Sequence, residues 1–306
     1  MSVASNLAYM LALLAAGVAG RRVGLLTPPR RERLTDLAFL VALPALVYTS
    51  TFSRSLGDVV SARLVAGVVC VIGVGAVVGW LVHRGRPEAA TRGVAVVQSY
   101  HSNLGFLGLP LVAATFGAAA VETGKASVVL GVGALVQVPL TVTLLGLHAD
   151  GDAGGDLAAE ARGLLRNPVL LALAAGLASA GLGVAPPAPV VAGLSFLADL
   201  ALPVALLGVG SALALDAATL DPPTVAAIAA VKLVALPLAA LAVFSGLGGS
   251  PSTVRTGVVM FAMPTAVSTF VYASALDGDA GLASVTVFAT TVLSAATLAP
   301  VLWLVG

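Results

Sequence analysis

Apolar stretches of roughly the 20 residues needed to cross a hydrocarbon core recur along the whole chain, with short polar or Gly/Pro-containing turns between them. They predict spans at about 3–19, 35–52, 62–82, 92–116, 126–147, 167–183, 190–213, 223–245, 255–276 and 283–304. Inside a bilayer the backbone must satisfy its own hydrogen bonds, which leaves helices or a closed barrel. The runs are continuous and do not alternate in polarity as barrel strands do, so the expected class is an all-α membrane protein with ten transmembrane helices. The first run is followed, not preceded, by its arginines, Arg21 and Arg22. That order predicts a retained span and not a cleaved leader.

Composition supports lipid as the main solvent. Of 306 residues 59% are hydrophobic and only 9% charged, and the mean hydropathy is +1.06, too little polar surface to coat a water-soluble globule of this size. The net charge of +1 offers no basic field for nucleic acid, and the basic residues sit at the edges of apolar runs. The single cysteine, Cys70, lies within an apolar run, so neither a disulfide framework nor a Cys-rich metal site is expected. No phosphate loop, His-Glu-x-x-His helix or Gly-x-Ser-x-Gly elbow occurs, so the sequence predicts no enzyme, no cofactor and no metal.

The loops after odd-numbered spans carry Arg21, Arg22, Arg30, Arg31, Arg33, Arg84, Arg86, Arg92, Arg162 and Arg166; those after even spans carry Arg54, Arg63, Lys125 and Arg255. The positive-inside rule then makes the odd loops cytoplasmic and sets both termini outside. The longest connection, 148–166, is Gly- and Asp-rich and falls midway. It reads as a linker between two five-span halves, 1–147 and 167–306. The halves look like copies. Ala42-Leu43-Pro44-Ala45-Leu46 in span 2 matches Ala201-Leu202-Pro203-Val204-Ala205-Leu206 in span 7, and spans 4 and 9 open similarly at Arg92 and Arg255 and reach Pro110 and Pro264 within the membrane. Copies with an odd number of spans enter the bilayer opposite ways up, the inverted-repeat plan of many secondary transporters. Proline removes a backbone donor and frees a carbonyl, so paired interruptions at Pro110 and Pro264 predict broken helices at mid-membrane.

Five motifs taken together carry a resemblance: Asn103-Leu104-Gly105-Phe106-Leu107-Gly108-Leu109-Pro110-Leu111, Leu43-Pro44-Ala45-Leu46, Arg166-Asn167-Pro168, Leu202-Pro203-Val204-Ala205-Leu206-Leu207-Gly208-Val209-Gly210-Ser211-Ala212-Leu213 and Ala262-Met263-Pro264-Thr265-Ala266-Val267. In order and over nearly the whole chain they resemble the auxin efflux carrier family, which includes plant auxin exporters and malonate transporters. The resemblance implies two inverted five-helix repeats with helices 4 and 9 broken and crossing, as in bile acid:sodium symporters and sodium/proton antiporters. It also implies a scaffold of spans 1, 2, 6 and 7 beside a moving unit of spans 3–5 and 8–10, and a homodimer in the cell membrane.

Broken-helix N-termini present free N–H groups and a partial positive charge, which suits a carboxylate and makes a small organic anion the expected partner. The candidate substrate contacts are Asn103, Pro110, Pro264, Thr265 and Ser268 around the two breaks; the resemblance assigns an amide to Asn103, whereas Ser268 stands where many relatives carry Asn. Gln137 resembles a substrate contact of the plant exporters, and interhelical hydrogen bonding is its alternative role. Tyr48, Thr49 and Ser50 follow Pro44 and either line the site or form an ordinary polar helix end. Lys232 and Asp199 are ionisable groups within predicted spans, functional or structurally paired. His101, beside the first break, is a candidate proton site. The expected function is alternating-access transport of an auxin-like or malonate-like anion; a channel or ligand sensor built on the same broken helices is the rival reading.

Overall fold

The computed structural model describes residues 3–148, 157–212 and 221–305. Residues 149–156 of the linker predicted at 148–166 therefore lie outside the described residues, as does the end of span 7 at position 213. The helices are α1 (Val3–Arg22), α2 (Pro28–Thr51), α3 (Ala62–His83), α4 (Ala89–Tyr100), α5 (Leu104–Phe116), α6 (Val121–Gly146), α7 (Leu157–Leu165), α8 (Pro168–Leu182), α9 (Ala188–Ala212) and α10 (Pro222–Gly246), α11 (Pro251–Phe261), α12 (Ser268–Ala275) and α13 (Ala280–Val305). Among the described residues six stretches are long and apolar enough to cross a bilayer: α2, α3 with the turn before it, α6, α9, α10 and α13. A seventh is the bent pair α7–α8, which turns by 51°.

Several basic residues assigned from sequence to loops lie inside helices instead. Arg63 is in the first turn of α3, Lys125 in the first two turns of α6 and Arg255 in α11. Each still sits near a helix end, where a long side chain reaches polar surroundings. Cys70 is exposed on α3, among side chains that face the apolar solvent.

Prolines shape three helices by one mechanism. A proline offers no N–H to the carbonyl four residues earlier, and its ring pushes that carbonyl aside. In α2, α5 and α10 the chain responds with one wide turn immediately before the proline, at Ala38–Ala42, Leu104–Gly108 and Val231–Ala235, ahead of Pro44, Pro110 and Pro237. The N–H groups of Leu43, Leu109 and Leu236 reach back five residues to the carbonyls of Ala38, Leu104 and Val231. Such wide turns rotate the following side chains out of helical register and favour functional positions.

The helices pack in two sets. In one, α1 lies along the second half of α9, while α8 and the first half of α9 flank the second half of α2. In the other, α3 packs on α4, α6 and α10, α11 packs on α6 and α10, and α13 contacts α4, α10, α11 and α12. The sets meet where α9 touches the start of α5, α2 touches α6 and α1 touches α13.

The α1–α9 contact is backbone against backbone. A methyl group on Gly17 would stand 2.5 Å from the Leu207 carbonyl oxygen, and one on Gly210 would overlap the Leu14 carbonyl. Membrane helices gain by such close approach because dispersion, not water expulsion, holds them together. Gly210→Ala is expected to destabilise the protein by about 1–3 kcal/mol, since neither carbonyl can yield without moving its helix. A melting temperature of the detergent-solubilised protein equal to that of the unaltered chain would contradict this packing. At the rim, Asp221 caps α10 through the Thr224 N–H and hydroxyl. The Thr224 hydrogen bond, aided by Arg86 3.6 Å away, holds the Asp221 carboxyl below its usual range.

Candidate functional site

The two predicted interruptions exist, and they meet. α4 ends at Tyr100 and α5 resumes at Leu104; α11 ends at Phe261 and α12 resumes at Ser268. Between them the extended backbones pair antiparallel through Ser102 and Thr265. The Asn103 N–H donates to the Pro264 carbonyl at 2.9 Å, and the Ala266 N–H to the His101 carbonyl at 3.0 Å. These bonds satisfy groups that a break in lipid would leave bare. Further ties hold the crossing: Thr265 donates its hydroxyl to the Gln98 carbonyl at 2.9 Å and its N–H to the Thr290 hydroxyl at 3.3 Å.

Beside this junction lies a cavity of about 260 Å³. Its wall includes His101, Ser102, Asn103 and the first residues of α5, Gln137 of α6, Asn167 ahead of α8, Phe39 and Leu43 of α2, and Ala266, Val267, Ser268 and Tyr272 around α12. The cavity thus lies between the two packing sets, at the starts of two half-helices. The first N–H groups of a helix have no intrahelical acceptor, so both half-helices turn their positive ends toward it.

Two amides sharpen that polarity. The Asn103 oxygen accepts from the Phe106 N–H at 3.2 Å, which caps α5. The Gln137 oxygen accepts from the Ser102 N–H at 2.7 Å. A backbone N–H can only donate, so both amide oxygens are committed and both NH₂ groups are left as donors. Asn103 Nδ2 is buried and has no hydrogen-bond partner. Among the described residues, no acidic or basic side chain other than His101 lines the cavity. Its Nδ1 lies 2.8 Å from the Thr141 hydroxyl, which also meets the Tyr100 hydroxyl at 2.9 Å.

Of the residues singled out from sequence, Asn103, Gln137, His101 and Ser268 are brought together here. Pro264 and Thr265 build the junction behind the cavity and do not line it. Pro110 and Asp199 line a different cavity, toward the far end of α5. Tyr48, Thr49 and Ser50 stand away from both. The Tyr48 hydroxyl meets Ser179 of α8 at 3.1 Å, Thr49 donates to the Ala45 carbonyl at 2.8 Å, and Ser50 meets Ser127 of α6 at 2.9 Å.

Lys232 is fully buried in the wide turn of α10, and its ammonium donates to the Phe261 carbonyl at 3.0 Å. A cation there sits on the last turn of α11, the negative end of that half-helix. Three polar residues of the cavity wall, Ser102, Asn167 and Tyr272, are not among those singled out from sequence. Asn167, whose Oδ1 caps α8 by accepting from the Val169 N–H at 2.9 Å, was noticed only as part of a motif. Tyr272 lies one helical turn beyond Ser268, and that spacing was the available signal.

An all-helical membrane protein whose two interrupted helices pair beside a cavity is of the transporter class. Comparison with known proteins agrees. The model of the membrane transport protein family matches residues 5–153 and 157–302. A protein of Rhizobium meliloti (strain 1021) bearing the name "Putative malonate transporter" is 30% identical over 224 residues, 71% of this chain and 68% of that one. The chain belongs to the membrane transport protein family, that of the auxin efflux carriers.

Proposed function

We propose that this protein is a secondary transporter that carries a small organic anion across the cell membrane by elevator-type alternating access. The observation that carries the reading is the buried, unpartnered Asn103 Nδ2 at the wall of a cavity that, among the described residues, has no acidic side chain. A buried donor without an acceptor is costly and calls for a ligand that accepts. Together with the Gln137 NH₂ and two half-helix N-termini it makes a donor-rich pocket that offsets the desolvation of a carboxylate. Ser268 is the hydroxyl contact from the second half. Pro110, Pro264 and Thr265 act by holding the broken geometry, and His101 adds a polar face. Tyr48, Thr49 and Ser50 belong to the scaffold side and serve packing between α2, α8 and α6.

The same reading takes α1, α2, α8 and α9 as the scaffold and the remaining membrane helices as the moving unit. The two-set packing supports this, because relative motion costs least where contacts are fewest. It divides the chain into inverted repeats at 1–147 and 167–306 joined by a cytoplasmic linker at 148–166, with ten spans and both termini outside. Spans 4 and 9 are then the α4–α5 and α11–α12 pairs. The protein works as a homodimer. The relative named as a malonate transporter suggests a small carboxylate as the first substrate to try.

Purified protein screened against small carboxylates is expected to gain thermal stability with at least one of them, by about 2.7 kcal/mol at 100-fold excess over Kd. That compound should then show saturable counterflow in proteoliposomes. Stabilisation by no carboxylate, or unsaturable single-channel currents in place of counterflow, would overturn the carrier reading.

A further inference from the structure

Beside the first break, three side chains form a chain of hydrogen bonds whose direction follows from counting hydrogens. The Tyr100 hydroxyl meets the Thr141 hydroxyl at 2.9 Å, and the Thr141 hydroxyl meets His101 Nδ1 at 2.8 Å. Tyr100 and Thr141 are both fully buried. α3 presses on the tyrosine so closely that a methyl group on Gly75 would stand 2.9 Å from its Cβ. Among the described residues neither hydroxyl has another partner. Each carries one hydrogen, and a buried hydroxyl hydrogen without an acceptor is costly.

Two contacts must therefore absorb two hydroxyl hydrogens. The phenol can give its hydrogen only to Thr141, so the Thr141 hydrogen is left for Nδ1. Were Nδ1 to donate instead, one of the two hydroxyls would keep an unused hydrogen. Nδ1 thus accepts, and the neutral ring carries its hydrogen on Nε2. The same count disfavours the imidazolium, which also needs a hydrogen on Nδ1. His101 lines the cavity, and its Nε2 has no protein partner and is not sealed off from that space. The other titratable side chains nearby are Tyr272, with its ring centroid 6.4 Å from the imidazole, and Lys232, held on the Phe261 carbonyl; neither is hydrogen-bonded to the ring.

We propose that Thr141, backed by Tyr100, is a positioning residue that locks His101 as a neutral Nε2–H donor to the substrate carboxylate. This deepens the anion-carrier reading and rests on it. His101 then joins the Asn103 and Gln137 NH₂ groups as a third N–H donor on the cavity wall. A carboxylate offers only acceptors to such a set, whereas a ligand that turns its own N–H or O–H toward Nε2 meets a second donor and is refused.

Nitrogen NMR of the ligand-free protein, labelled with nitrogen-15 histidine and held in nanodiscs, reads the tautomer directly. The chain has three histidines, and the signals missing from His101→Phe belong to His101; His101→Leu serves if that variant does not fold. The native protein should show an unprotonated Nδ1 and a protonated Nε2, and Thr141→Ser, which keeps the hydroxyl, should show the same. Thr141→Val, or Thr141→Ala should valine not fold, should show both tautomers. A hydrogen on Nδ1 in the native protein, or a single Nε2–H form that survives loss of the hydroxyl, overturns the proposal and leaves the carrier reading intact. Titration calorimetry with malonate, succinate and benzoate then compares native and His101→Phe protein. The variant should bind on the order of 10- to 100-fold more weakly, the worth of one hydrogen bond to a charged group. Equal affinities overturn the donor role alone. A locked tautomer in a native protein that binds none of the three overturns the anion reading, and the donor role with it.

Discussion

Asn103→Asp is expected to abolish carboxylate binding while leaving the protein folded. The substitution keeps the oxygen that accepts from the Phe106 N–H, so the cap on α5 survives. It converts a buried donor without a partner into a second oxygen. Losing a hydrogen bond to a charged group costs about 1.5–3 kcal/mol, which alone is on the order of 10- to 100-fold in affinity. A negative charge facing the substrate adds repulsion to that loss. Asn103→Ala should weaken binding by the first amount only, and should also lower the melting temperature because it removes the cap at a cost of about 1 kcal/mol. Isothermal titration with the carboxylate that stabilises the native protein checks both. Native affinity in the aspartate variant would move the binding site elsewhere.

Lys232→Met is expected to stop transport and to destabilise the fold. Methionine keeps most of the volume, so no large cavity opens. The Phe261 carbonyl, however, loses its only side-chain donor among the described residues, the Lys232 amine, in a fully buried site. An unsatisfied buried acceptor costs about 1–3 kcal/mol, and the loss falls on the last turn of α11, immediately before the Pro264 break. The junction bonds from Asn103 to Pro264 and from Ala266 to His101 depend on that turn being held. Counterflow should therefore fall by about tenfold or more, with a lower melting temperature measured on the same preparation. A variant that melts early yet transports at the native rate would make Lys232 a purely structural residue.

Much of this protein was legible in its sequence. Long apolar runs specify helices in lipid whatever their neighbours, because no other element satisfies the backbone there. Pro264 lies within the second break, whereas Pro110 only widens a turn of α5 beyond the first, which falls at His101–Asn103. The amide beside the first break, Asn103, and Gln137 and Ser268 also reached the cavity the sequence suggested. The reading was less able to say which end of a helix a cavity opens on. Tyr48, Thr49 and Ser50 share α2 with the cavity residues Phe39 and Leu43, yet they sit one to three turns further along and meet α8 and α6 instead. Lys125 is another case. Hydropathy assigned it to a loop, whereas in the fold its ammonium is buried against Ser250, Ser252 and Thr253 at 2.6–3.1 Å.

What the sequence by itself determined is what depends on near neighbours in the chain: solvent class, helix positions, and the places where proline breaks the hydrogen-bond ladder. Only the tertiary structure decided which of the freed groups remain free. The two breaks consume each other's backbone donors and acceptors, and Phe106 and Ser102 commit the oxygens of Asn103 and Gln137. Apart from the local Phe106–Asn103 bond, these join residues 35 to 165 positions apart, and a one-dimensional pattern carries no term for them.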